Sequence, residues 1–155
     1  MLNRIKNILG IEGVKIEIDA PASLHLGLES LDFTLFFYTK SDQLIESVTI
    51  RLIEKYKRGW RNSKLIDEYI LYENVEELDI SISPEEKFSA PLTISFDYTK
   101  SPVEKMGENI LLKPLSKIAL MAKRAKSNFR LEVSAQIKGV RVNPLVVHHF
   151  EKAVV

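Results

Sequence analysis

The sequence predicts an all-β protein built as an antiparallel β-sandwich, and two observations support this fold class. Five segments alternate apolar and polar residues with a period of two, which places the apolar side chains of each strand on one face. Sheets with one buried and one solvated face are typical of antiparallel structure. The predicted strands are also short, about seven or eight in number, and turn residues separate them, as in sandwich domains.

The first elements are predicted from changes of period. Apolar residues recur at helical spacing over residues 2–10, which predicts a short amphipathic helix that stops at Gly10. A first alternating strand follows over residues 14–19. Residues 21–27 are predicted to form a loop, and residues 31–38 a second alternating strand.

The middle of the chain is predicted to contain three strands around one charged loop. A long strand covers residues 46–57, with its apolar residues facing inward, and residues 58–64 are predicted to break it as an exposed loop. Residues 65–74 are apolar enough for a strand but do not alternate cleanly. Residues 78–82 form a further short strand.

The last part combines strands with one predicted helix. The strand over residues 88–98 contains Pro91, which indicates an edge strand or a bulge because proline cannot donate to a neighbouring strand. An apolar stripe, with Pro114 in the first turn, predicts a helix over residues 114–126. Two strands complete the fold, one over residues 128–138 and one over residues 140–150 that is broken by Asn143-Pro144.

Composition and charge limit the function classes. The 155 residues suit one domain over residues 1–155, and 22 basic against 21 acidic residues give a net charge of +1, which does not favour nucleic acid as a partner. Cysteine is absent, which excludes disulfides and thiolate chemistry. Neither a secretory signal nor an apolar stretch of about 20 residues is present, so we expect a cytoplasmic protein.

Four segments together resemble the bacterial sporulation-control proteins with an arrestin-like fold. That family's amphipathic start and Gly-containing turn are similar to Leu9-Gly10-Ile11-Glu12-Gly13-Val14-Lys15-Ile16. Residues 47–56 are similar to its strand ending in Tyr, and residues 88–103 to its phenylalanine-rich strand followed by Thr-Pro-Val. Residues 129–137 are similar to its late strand.

The resemblance implies an arrestin-like or immunoglobulin-like sandwich and a non-catalytic scaffold or regulatory module. That family usually carries two sandwich domains, whereas this sequence has the length of one. The family's acidic Asp-Pro-x-Asp-x-Asp turn would fall at residues 143–148, where only Pro144 matches, and the helix over residues 114–126 has no counterpart. The chain therefore resembles a divergent, single-domain member.

The residues that could perform catalysis are scattered. His148 and His149 are adjacent, so on a strand they would point to opposite faces, and His25 is distant in the sequence. The glycine-containing turns lack the spacing that holds phosphates, and no nucleophile elbow is present. We therefore predict no enzyme activity, no cofactor and no metal site. A small-ligand carrier, or a metal-dependent hydrolase using His148, is the alternative.

The best candidate for a binding surface is the basic, aromatic segment over residues 55–64. Its predicted partner-binding residues are Tyr56, Arg58, Trp60, Arg61 and Lys64. Together with an exposed strand edge, this segment would bind a protein partner that is not identified by the sequence. A solvated hairpin tip is the competing interpretation. A module that associates with a membrane surface or nucleic acid is the functional alternative, and a homo-oligomer is also open.

Overall fold

The computed structural model describes residues 13–60, 63–97 and 126–154, and for residues 58–60, 63–65 and 126 it describes the backbone only. The helices predicted over residues 2–10 and 114–126 lie outside the described residues, except that Lys126 begins a strand. A single 3-10 turn, Leu26–Leu28, is the helical element of the described part. The strands are β1 Lys15–Asp19, β2 Ser23–His25, β3 Ser30–Tyr38, β4 Gln43–Trp60, β5 Ser63–Ile82, β6 Phe88–Ser95, β7 Lys126–Ile137, β8 Leu145–His149 and β9 Lys152–Val154.

Two antiparallel sheets confirm the predicted fold class. One sheet has three strands in the order β1-β3-β6, and the other has four in the order β5-β4-β7-β8. All pairings within these two sheets are antiparallel. The short strands β2 and β9 form a separate parallel pair. The described chain is therefore an all-β sandwich, with the four-stranded sheet as its larger layer.

The core lies between the two sheets and follows the period-two pattern of the sequence. In the four-stranded sheet, Leu52 pairs with Leu131 and Ile50 with Val133, so adjacent strands contribute rows of apolar residues. On the three-stranded sheet, the alternating residues of β3 are buried, and they are Leu31, Phe33, Leu35 and Phe37. Burying one such side chain stabilises the fold by roughly 1.5–3 kcal/mol relative to leaving it exposed.

The loop predicted over residues 58–64 is wrong, because the backbone of β4 continues to Trp60, and Trp60 pairs with Ser63 at the start of β5. Only residues 61 and 62 separate the two strands. Backbone hydrogen bonds between strands do not require apolar side chains, so a charged segment can continue a hairpin beyond the point where the hydrophobic pattern ends. The candidate binding segment is thus the end of a long β4–β5 hairpin.

The strands predicted over residues 65–74 and 78–82 are one strand, β5. Its register against β4 shifts twice, between Leu52 and Ile53 and between Ile45 and Ser47, and β5 has one extra residue at each shift. Each extra residue changes which face the following side chains occupy. The shifts therefore explain why this segment does not alternate cleanly.

Three smaller findings complete the comparison with the predicted elements. Pro91 lies on β6, an edge strand, as its chemistry predicts. The predicted loop over residues 21–27 contains β2, a strand of three residues that is too short for periodicity to reveal. The chain turns at Gly139, where φ is +80°, and the strand predicted over residues 140–150 is limited to β8, which begins directly after the break predicted at Asn143-Pro144.

Candidate functional site

The register places four of the five predicted partner-binding residues near the end of the β4–β5 hairpin. Tyr56 pairs with Asp67, Arg58 with Leu65, and Trp60 with Ser63, while Lys64 pairs with Gly59. Arg61 lies outside the described residues. These four residues therefore lie in the same part of the hairpin, but Lys64 pairs with a position of β4 that alternates with Arg58 and Trp60, so the register divides them between the two faces. Their role as one partner-binding surface stays a prediction.

The two faces of β4 differ near the hairpin end. Tyr56 is only 2% exposed, and Glu54, two residues before it, is 3% exposed. Both lie on the face of β4 that carries Leu52, because residues two apart on a strand share a face. Glu54 and Tyr56 also each have an interaction partner. The structure therefore gives Tyr56 a packing position, and its direct contact with a partner stays a prediction.

Glu54 is a buried charged residue that the sequence analysis did not single out. A carboxylate is seldom buried unless it is paired. The signal was present in the sequence, since Glu54 continues the row of inward positions that contains Ile50 and Leu52. A glutamate in such a row indicates a polar contact within the protein.

The opposite face of the same strands forms an open groove of about 490 Å³. It lies beside the hairpin end and combines several cationic side chains with one carboxylate, and two buried phenylalanines, Phe129 and Phe150, border it. The residues that line it are Lys55, Lys57, Glu68, Asn128, Phe129, Arg130, His149 and Phe150. We call this set the basic groove. No salt bridge among the described residues engages Lys57 or His149.

Arg130 is held in place at the floor of the basic groove by two carboxylates. Its Nη2 lies 3.1 Å from Oε1 of Glu68, and its Nε donates to Oε1 of Glu132 at 2.8 Å. The hydrogen bond from Arg130 lowers the pKa of Glu68 below its ordinary value, and the bonds to Glu68 and Glu132 raise the pKa of Arg130. Both pKa shifts favour the charged forms of Glu68 and Arg130.

The histidines are separated as the sequence analysis predicted. Nε2 of His148 donates a hydrogen bond to the backbone carbonyl of Pro21 at 3.0 Å, and its ring meets Phe150 edge-on at 4.9 Å. His149 lines the basic groove on the other face, and His25 lies on β2. Residues 13–60, 63–97 and 126–154 contain no group of three or more His, Cys, Asp or Glu residues that could hold a metal.

Within the described part of the chain, no helix has the length and apolar character needed to cross a membrane.

The residues on the face that carries the basic groove offer hydrogen-bond donors and positive charge, which suit recognition of carboxylates or phosphates. Partner recognition by this surface stays a prediction.

Comparisons with known proteins give a likeness of fold. No protein-family model matches the sequence, and no curated protein matches it. The crystal structure of the sporulation control protein Spo0M from Bacillus subtilis superposes with a TM-score of 0.63 at 12% identity, over 92% of this chain and 50% of the Spo0M chain. A protein from Archaeoglobus fulgidus matches with a TM-score of 0.42 at 8% identity, over 89% of this chain and 92% of that chain.

This chain spans half the length of the Spo0M chain that it matches. The resemblance to sporulation-control proteins, first indicated by the four segments of the sequence, is confirmed at the level of the fold. The chain has a β-sandwich fold like that of Spo0M.

Proposed function

We propose that this chain is a non-catalytic regulatory module, related to sporulation or stress control, that acts by binding another protein. The observation that carries this proposal is the likeness of its fold to Spo0M, a sporulation control protein, over 92% of the chain. Fold alone does not determine function, so the binding surface must be argued from the residues themselves.

The hairpin end and the adjacent basic groove form the surface that we assign to partner binding. Arg58 and Trp60 alternate with Lys55 and Lys57 on β4, so the predicted residues Arg58, Trp60, Arg61 and Lys64 and the groove residues Lys55, Lys57 and Arg130 surround the hairpin end from both faces, and the proposed partner contacts both. Tryptophan and arginine are the residues that most often dominate the binding energy of protein interfaces. Charged residues around them favour a partner of complementary, acidic character.

Site-specific photo-crosslinking in cells of the source organism tests this surface. A photoreactive amino acid at position 57, in place of exposed Lys57, should give a discrete covalent adduct with one partner protein. The matched control replaces Ser89, which is exposed on the edge strand β6 of the other sheet. No adduct at position 57, or the same adducts at both positions, would contradict the proposed surface.

Trp60→Ala tests the anchor within that surface. We expect the adduct formed at position 57 to fall at least several-fold, because large aromatic residues often carry a major share of interface energy. Thr93→Ala on β6 is the control substitution. Retention of the full adduct by Trp60→Ala would remove Trp60 from the proposed interface.

The basic groove also supports an alternative, in which the module associates with a membrane surface or nucleic acid. Lys55, Lys57 and His149 could contact phosphates there. Phosphatidylserine vesicles and single-stranded oligonucleotides are suitable probes, with phosphatidylcholine vesicles as the neutral control. Electrostatic binding must weaken as salt increases. Absence of binding at low salt would eliminate this alternative and leave the protein-binding proposal unaffected.

A further inference from the structure

The edge of β5 differs from the other sheet edges of the described residues. Edge strands expose unpaired backbone groups that can hydrogen-bond with another strand, and proteins usually protect them by short length, proline or charge. β1 and β8 have five residues each, and β6 has eight, with Pro91 near its centre. β5 has 20 residues and contains no proline. It is therefore the one long edge without an interruption by proline among the described strands.

Three exposed β-branched residues share one face of this edge. Ile66 is 53% exposed, Ile70 59% and Val75 52%. They pair respectively with Lys57, Ile53 and Thr49, which are four residues apart on β4 and so lie on the same side of the sheet. Such residues pack well against cross-strand neighbours on a pleated surface. Their exposure leaves apolar surface beside the unpaired edge, which the side chains of an added strand would cover.

The charge of β5 determines which strand would fit. The strand carries one lysine and six carboxylates, which are Asp67, Glu68, Glu73, Glu76, Glu77 and Asp79. Glu68 is bound by Arg130, and Oε2 of Glu73 lies 2.7 Å from Nε of Arg51. No salt bridge of the described residues involves Glu77 or Asp79. A second copy of β5 would bring like charges together across the new pairing, which is destabilising.

We propose that the edge of β5 is a docking site for an extended segment of a partner protein in which apolar residues alternate with lysine or arginine. The segment adds a fifth strand to the four-stranded sheet. Backbone hydrogen bonds supply affinity, while contacts with Ile66, Ile70 and Val75 and with the acidic residues supply specificity. This inference rests on the proposed function in taking the partner to be a protein, but it uses a different surface from the hairpin end.

The acidic residues and register shifts of β5 also have a protective role, since both discourage uncontrolled pairing between copies. Protection alone does not account for the three exposed apolar residues, because apolar residues on an edge promote pairing. Charge that repels another β5 while attracting a basic strand accounts for both observations. The edge is thus selective for the charge of its occupant.

A fluorescent peptide that alternates valine and lysine is the probe, and its binding to the full chain is measured by fluorescence anisotropy. Ile70→Lys/Val75→Lys should weaken binding by about tenfold or more, because two apolar contacts are lost and positive charge is added. Ser89→Lys on β6 is the matched control and should leave binding unchanged. Far-UV circular dichroism checks that each variant is folded.

Two further peptides test the assigned chemistry. A peptide of the same composition with its valines and lysines in separate blocks lacks the strand pattern, and a valine–glutamate peptide has the wrong charge. Both should bind at least about tenfold more weakly than the alternating valine–lysine peptide. Equal binding of either peptide would overturn the proposal.

Backbone amide NMR locates the bound peptide. We expect the largest shifts at residues 66–79, and shifts confined to another edge or to the basic groove would overturn the assignment. Self-association detected by sedimentation, and lost in Ile70→Lys/Val75→Lys, would instead identify a second copy as the occupant. A crosslink at position 57 without peptide binding at β5 would leave the proposed function standing while this inference fails.

Discussion

Arg130 binds two carboxylates at once, and this geometry makes Glu68 a local reporter of the basic groove. The guanidinium hydrogen bond lowers the pKa of Glu68 below its ordinary value of 4.5. The ion pair therefore stabilises the fold fully when the pH is above the ordinary pKa, and this stabilisation is lost as the pH falls through the lowered pKa. We expect carboxyl NMR titration of Glu68 to give a midpoint below 4.5. In Arg130→Gln the midpoint should return toward 4.5.

The matched control for this titration is Arg51→Gln, which removes the partner of Glu73 and leaves Arg130 in place. It should not change the midpoint of Glu68. An unchanged Glu68 midpoint in Arg130→Gln would show that the ion pair does not persist in solution.

Substitutions at Gly139 measure the cost of backbone strain without a contribution from steric clashes. Its φ of +80° is unfavourable for other L residues, yet a Cβ at this position would have no heavy atom within 4 Å. Gly139→Ala should therefore lower the free energy of unfolding by about 1 kcal/mol through the backbone alone. Gly139→Asn should cost less, because asparagine adopts left-handed conformations more readily. Urea denaturation measures both, and equal losses would argue against this explanation.

At the scale of the element, β5 keeps its pairing with β4 by inserting extra residues. Asp79 lies within one of the register shifts and has a φ of +48°. We expect Asp79→Gly to raise the free energy of unfolding by a few tenths to about 1 kcal/mol, because glycine relieves this conformation. Asp79→Val should lower it, since β-branched residues resist positive φ. Chemical denaturation that ranks valine above aspartate would contradict the bulge.

The elements that the sequence predicted well are those in which each strand has one uninterrupted buried face. In β3 and β7 this pattern survives along the strand, so their position and inward faces could be read directly. β5 was divided because its two extra residues interrupt the alternation. β2 and β9 were missed because three residues are too few to show a period.

The candidate site was predictable only in part. Residue type identified the basic and aromatic character of residues 55–64, but strand register was needed to distribute these residues between two faces. Arg130 and His149 reach the basic groove through β7 and β8, far away in the sequence. Such a convergence depends on tertiary pairing, which local patterns do not contain.

The molecule as a whole depends on the contact between its two sheets. Leu131 is fully buried in the central strand β7, whereas Leu145 on β8 is 63% exposed. Leu131→Ala should lower the free energy of unfolding by about 2–5 kcal/mol, through lost burial and a residual cavity. Leu145→Ala should change it by less than about 0.5 kcal/mol. Comparable losses would show that the described sandwich core does not dominate stability.

The prediction that residues 1–155 form a single domain can be tested at the same scale. A single cooperative domain should unfold in one transition, with the same midpoint by circular dichroism and by tyrosine and tryptophan fluorescence. Two separated midpoints would indicate that part of the chain folds independently. The comparison requires only the intact protein.

The parallel pairing of β2 with β9 has a consequence for biosynthesis. Ser23 meets Lys152, so the two partners are about 130 positions apart. During translation, β2 cannot pair until β9 has emerged from the ribosome. This ladder therefore closes after most of the polypeptide has been made. A newly made chain that stalls before residue 152 would leave the backbone of residues 23–25 open to chaperones.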